Sequence, residues 1–132
     1  KSYKSTSLEV YSNRISGQEY SNLMNSCDYV LLPYAAEYNY RVSGVFFEAV
    51  AYGKKSIIKT NNTLRYYTSE YPNNVIGFAD DEEFINLISE NKIINEKIDE
   101  KEWSNITANY SDAKLKKDYT KLIQGKDEED DK

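Results

Sequence analysis

The stretch RVSGVFFEAVAYGKKSIIKT, residues 41–60, decides how the chain is read. Val45 to Tyr52 is a short run, apolar on nearly every side, that suits one helical element. Ser43 stands before it as an N-cap, and Gly53 stands after it as the residue that ends a helix in a left-handed turn. Lys55 to Thr60 then returns as a short apolar strand. One carboxylate, Glu48, sits in the middle of this helix, and the helix opens on Ser43-Gly44 without an acidic first turn.

Outward from this unit the pattern alternates. CDYVLLPY (27–34) contains a continuous apolar run stopped by Pro33, as expected of a strand buried on both faces of a parallel sheet. QEYSNLMNS (18–26) before it has Tyr20, Leu23 and Met24 at helical spacing. LEVYS (8–12) alternates and predicts a further strand. LRYYTSEY (64–71) reads as a short helix, NVIGFA (74–79) as a strand, and DDEEFINLISE (80–90) as a helix with acids in its first turn, where the helix dipole favours them. The remainder is helical, with two apolar stripes expected to be core contacts: Ile98, Trp103, Ile106 and Tyr110, then Leu115, Tyr119, Leu122 and Ile123.

Strands alternating with helices predict an α/β protein with a Rossmann-like, doubly wound parallel sheet and right-handed crossovers. The sheet is short for such a fold, so one or two further βα units are expected upstream of Lys1. Residues 1–124 form the domain. The tail GKDEEDDK, residues 125–132, holds two lysines and five acids and reads as a solvated, disordered end.

The 132-residue chain carries a formal charge of -5, of which the tail supplies -3. That balance argues against a nucleic-acid partner, which would call for a basic patch. No apolar run approaches the ~18 residues of a membrane span, and a soluble protein is expected. With no histidine anywhere, histidine acid-base chemistry, catalytic triads and most zinc sites are excluded. The single Cys27 rules out an intrachain disulfide and suits a reducing, cytoplasmic compartment. Asn61, Asn105 and Asn109 each begin an Asn-x-Ser/Thr triplet, which we take as coincidence in an asparagine-rich chain.

Ligands in open α/β sheets sit beyond the carboxyl ends of the strands. Three stretches fall there: Asn13 and Arg14, Tyr34 to Gly44, and Thr60 to Arg65. At Ser43-Gly44 no capping box can form, because Phe46 stands where Glu or Gln would be needed. The N–H groups of Gly44, Val45 and Phe46 then form either an ordinary capped helix start or an anion site for a phosphate. Glu48 among apolar neighbours needs donors: the vicinal hydroxyls of a ribose would serve, and a lysine or the solvent edge would serve as well. A phosphate site and a ribose-binding carboxylate one turn apart describe a single ligand, a nucleoside diphosphate.

The order CDYVLLPY…YNYRVSGVFFEAVAYGKKSII resembles the donor-binding, C-terminal half of glycosyltransferases with the GT-B fold, group 1-like. The final EWSNITANYSDAKLKKDYTKLI is similar to that family's last helices. The resemblance runs from about Leu8 to Ile123 and implies transfer of a sugar from a nucleoside-diphosphate donor, with UDP or GDP as the carrier, in polysaccharide or glycoconjugate synthesis. It implies that Glu48 binds the ribose hydroxyls, that the backbone of Ser43, Gly44 and Val45 holds the diphosphate, and that Asn13 and Arg14 lie near the base. No metal and no cofactor beyond the donor are implied. The acceptor would be held by an N-terminal domain, without which the chain would not turn over, and the full-length protein would be cytoplasmic or peripheral to a membrane.

The match has two departures. Tyr40 stands where many retaining members carry a sugar-contacting glutamate, and the family's early basic residues would lie upstream of Lys1. Arg41 is then the loop's nearby cation for phosphate or sugar, and Tyr34, Tyr38 and Tyr40 are candidate aromatic surfaces for a sugar ring. The catalytic residues are not assigned. The competing reading is a non-catalytic nucleotide-binding module of Rossmann-like fold. A receiver-type signalling domain fits poorly, since the strand in DYVLLPY begins with its Asp and ends in Pro33-Tyr34.

Overall fold

A computed structural model describes residues 10–38, 43–90, 93 and 97–124. Among these residues six helices and three strands follow in the order α1 (Gly17–Ser26), β1 (Tyr29–Leu32), α2 (Gly44–Ala51), β2 (Lys55–Lys59), α3 (Arg65–Glu70), β3 (Val75–Phe78), α4 (Asp81–Ser89), α5 (Glu100–Asn109) and α6 (Asp112–Ile123), with one 3-10 turn at Ala36–Tyr38.

The helix starts follow from their caps. Ser16 and Glu19 form a reciprocal capping box on α1, with Glu19 N donating to Ser16 Oγ at 3.2 Å and Ser16 N donating to Glu19 Oε2 at 2.9 Å. Ser43, Asp80, Asp99 and Ser111 each accept from a first-turn N–H of their own helix. Asn61, the first of the Asn-x-Ser/Thr positions, is buried and accepts the Leu64 N–H at 2.7 Å ahead of α3. Gly53 ends the α2 turn at φ 67°, the left-handed region in which a side chain is strained.

The three strands are parallel and stand in the order β1-β2-β3. The register aligns Leu31, Ile57 and Ile76 on one row and Leu32, Ile58 and Gly77 on the next. Side chains alternate between faces along a strand, so these rows belong to opposite sides of the sheet. The Leu32–Ile58 side holds the core, where Val75 of β3 meets Phe46 of α2, Ile106 of α5, and Leu64, Tyr67 and Tyr71 from α3 and its two ends. Phe78, on the other side, packs its ring 4.9 Å from that of Phe84 of α4. Helices therefore flank both faces, and the protein is α/β with a small parallel sheet, compatible with a Rossmann-like fold.

Three expectations need correction. Val10 to Ser12 form no strand and are exposed, because the described sheet offers them no ladder; Leu8 and Glu9 lie outside the described residues. β1 is not buried on both faces: Leu31 is 45% exposed, since α4 covers the β3 side of its face and no described helix covers the β1 side. The stripe Leu115, Tyr119, Leu122 and Ile123 is exposed throughout, because among the described elements α6 packs chiefly against α5 and no element covers this stripe. The first stripe does join the body, through buried Ile106 and through Trp103. The tail of residues 125–132 lies outside the described residues. No helix among the described residues is long and apolar enough to cross a membrane.

Candidate functional site

α2 begins where β1 has ended, so its N-terminus lies at the carboxyl edge of the sheet. Its two sides differ sharply. Phe46 and Ala49 have no exposed surface, while Gly44, Val45, Glu48 and Ala51 are exposed. Gly44 and Glu48 are four residues apart and Val45 and Glu48 three, so all three occupy one outward face.

At the helix start the Ser43 hydroxyl is engaged twice. It accepts the Phe46 N–H at 3.0 Å and bonds to the hydroxyl of Tyr34 from the end of β1. Ser43 is buried, so its side chain serves the cap and only its backbone borders the site. The N–H groups of Gly44 and Val45 belong to the first turn, where an α-helix leaves donors without intrahelical partners. A Cβ built on Gly44 would meet no atom within 4 Å, which leaves the backbone open to close approach.

Of the surroundings left open for Glu48, the structure has the solvent edge. Glu48 lies on the solvent side of α2 with Val45 and Ala51, while Phe46 and Ala49 face the core. Its Oε2 accepts a hydrogen bond from the Tyr20 hydroxyl of α1. That bond, with burial second, pushes the Tyr20 pKa up to about 12, because ionising the phenol would set a second negative charge against the carboxylate.

The contacts Tyr20–Glu48, Ser21–Tyr52 (3.0 Å between hydroxyls) and Asn25–Lys54 (Nζ donating to the carbonyl at 3.0 Å) advance together along α1 and along α2 with the turn that follows it. α1 thus runs beside α2 in the same direction. Asn13 and Arg14, both exposed, lead into α1 at the end where α2 also starts. Ser43, Gly44 and Val45 thus stand at one edge, with Glu48 a turn inside it, while Asn13 and Arg14 precede α1 in the chain. Tyr40 and Arg41 lie outside the described residues.

Sequence reasoning missed Tyr20 as a member of this group. Its helical spacing with Leu23 and Met24 marked it as a packing residue, and nothing local signals a bond made 28 positions away. A surface hollow of about 310 Å³ lies elsewhere, lined by Tyr11, Glu19, Asn22, Leu23 and Ser26 along α1, and includes none of the expected site residues. Among the described residues no cluster of three or more Cys, Asp or Glu side chains could hold a metal ion.

Chemically, the edge offers two helix-start donors without a partner among the described residues and, beside them, a carboxylate that accepts one bond, from Tyr20, among those residues. The architecture is that of an α/β protein with a parallel sheet. Comparison with protein-family models, with curated proteins and with solved structures finds no match.

Proposed function

We propose that this chain is the donor-binding part of a glycosyltransferase of the GT-B kind, holding a nucleoside-diphosphate sugar at the start of α2. The observation that carries the reading is the shared outward face of Gly44, Val45 and Glu48 at the carboxyl edge of a parallel sheet. The N–H groups of Gly44 and Val45 take the diphosphate, aided by the positive end of the helix. Glu48 takes the ribose hydroxyls, each of which donates to an acceptor-only carboxylate. Asn13 and Arg14 border the base; Tyr40 and Arg41 lie outside the described residues and keep the sugar and phosphate roles only as the family resemblance implies them.

The exposure of Glu48 suits this role, because a carboxylate that must exchange ligand for water cannot be sealed in the core. The acceptor and any general base come from a separate domain, so the chain alone binds donor without turning it over. Calorimetric titration with UDP, GDP and ADP tests the reading. One nucleotide is expected to bind selectively and to lose at least tenfold in affinity in Glu48→Ala, about 1.4 kcal/mol. Equal binding by wild type and variant, or no binding to any of the three, would contradict it.

A further inference from the structure

We infer that Tyr20 is a positioning residue whose hydroxyl holds the Glu48 carboxylate in place, committing one oxygen to the protein and leaving the other for the hydroxyls of a vicinal diol. The inference rests on the nucleotide reading of α2 and adds to it the residue that orients its carboxylate.

An exposed glutamate on a helix has three rotatable bonds and no reason to keep one rotamer. Glu48 has such a reason, because its Oε2 accepts from a phenol carried by a neighbouring helix. The carrier is itself fixed: Met24 of α1 is buried, Ser21 bonds Tyr52, and Lys54 bonds the Asn25 carbonyl. Oε1 and the second lone pair of Oε2 remain to accept.

The kind of donor matters. A lysine or arginine in this place would neutralise the carboxylate and compete with a ligand's hydroxyls. A phenol leaves the full negative charge available. With its pKa pushed up to about 12, Tyr20 stays a donor across neutral and mildly alkaline pH. The arrangement is thus preorganised for a neutral diol, and its signature is discrimination between a ribose and a sugar that lacks both hydroxyls.

The test compares the whole chain as wild type, Tyr20→Phe and Glu48→Ala. Each is titrated with UDP, GDP and ADP and with the 2′,3′-dideoxy form of whichever nucleotide binds. Tyr20→Phe is expected to weaken the ribonucleotide about five- to tenfold while the dideoxy form stays within about twofold, because binding must then order a carboxylate that is no longer held. Thermal melting confirms that the variant is folded. If Tyr20→Phe binds the ribonucleotide as well as wild type or better, or if both affinities fall in parallel, the inference is overturned while the nucleotide reading stands. If wild type binds the ribonucleotide and its dideoxy form equally, or binds none of the three nucleotides, the nucleotide reading itself falls, and the inference with it.

Discussion

The indole N–H of Trp103 donates to the backbone carbonyl of Val50 at 2.8 Å, fixing α5 to the last turn of α2. Gly53 N donates to the same carbonyl at 3.0 Å, and its turn passes close enough that a Cβ there would lie 3.8 Å from the indole nitrogen. The site helix is therefore held at both ends, by the Ser43 cap and Tyr34 at its start and by Trp103 at its finish. Trp103→Phe is expected to lower the unfolding free energy by about 1–2 kcal/mol, read as a shift in the urea midpoint. An unchanged midpoint would mean that the Gly53 turn alone secures this end.

α5 also anchors β3. Glu102 accepts Asn73 N at 3.1 Å, Asn73 Nδ2 at 2.9 Å and Asn74 N at 2.9 Å. The Asn74 side chain in turn donates to the Asp99 carbonyl at 2.9 Å and accepts the Asp99 N–H at 2.7 Å. Glu102→Ala should cost about 2–3 kcal/mol, because it removes a charged acceptor from several donors at once. Glu102→Gln, which keeps an acceptor without the charge, should cost less. Chemical denaturation of the two variants side by side checks the ordering.

Gly77 is needed for space. A Cβ at this position would stand 2.8 Å from Thr60 Oγ1 and 3.0 Å from Thr68 Cγ2. Gly77→Ala is expected to destabilise by about 1–3 kcal/mol through overpacking. Adding Thr60→Ala should restore part of the loss in melting temperature, since it removes the closer atom. Equal melting of wild type and Gly77→Ala would show that β3 and α3 shift apart at little cost.

Alkaline pH should weaken the fold through its tyrosines. The Tyr20 pKa is pushed up to about 12, chiefly by its bond to Glu48. Tyr67 is raised as well, first by burial and then by its bond to the hydroxyl of Tyr110. A group whose folded pKa lies above the ordinary 10.0 stabilises fully below that value, and the contribution is lost as pH rises through the folded pKa. Melting temperature should thus fall between pH 10 and about 12, and less steeply in Tyr20→Phe. Parallel slopes in the two proteins would mean that Tyr20 does not contribute.

The helix and strand pattern from Gly17 to Phe78 was legible because apolar spacing changes along the chain and Pro33, Ser43 and Gly53 mark boundaries, whereas the Ser16 and Asp80 caps show only in the structure. Exposure was not legible, because it depends on which elements meet. Glu48 sits among apolar residues in the chain, yet the helix turns Phe46 and Ala49 inward and Glu48 outward. Leu31 belongs to an apolar run but lies on the side of β1 that α4 does not reach. The stripe on α6 has helical spacing, and spacing alone does not supply a partner. Tyr20 was unreadable for the same reason, since its role exists only once α1 lies along α2.

The central claim is that one face of α2 binds a nucleoside diphosphate, and amide chemical shifts test it residue by residue. On adding UDP, GDP or ADP to the labelled chain, the account predicts that one of them moves the Gly44 and Val45 amide resonances and that Glu48→Ala weakens the response. Shifts confined to other parts of the chain, or none with any of the three nucleotides, would contradict it.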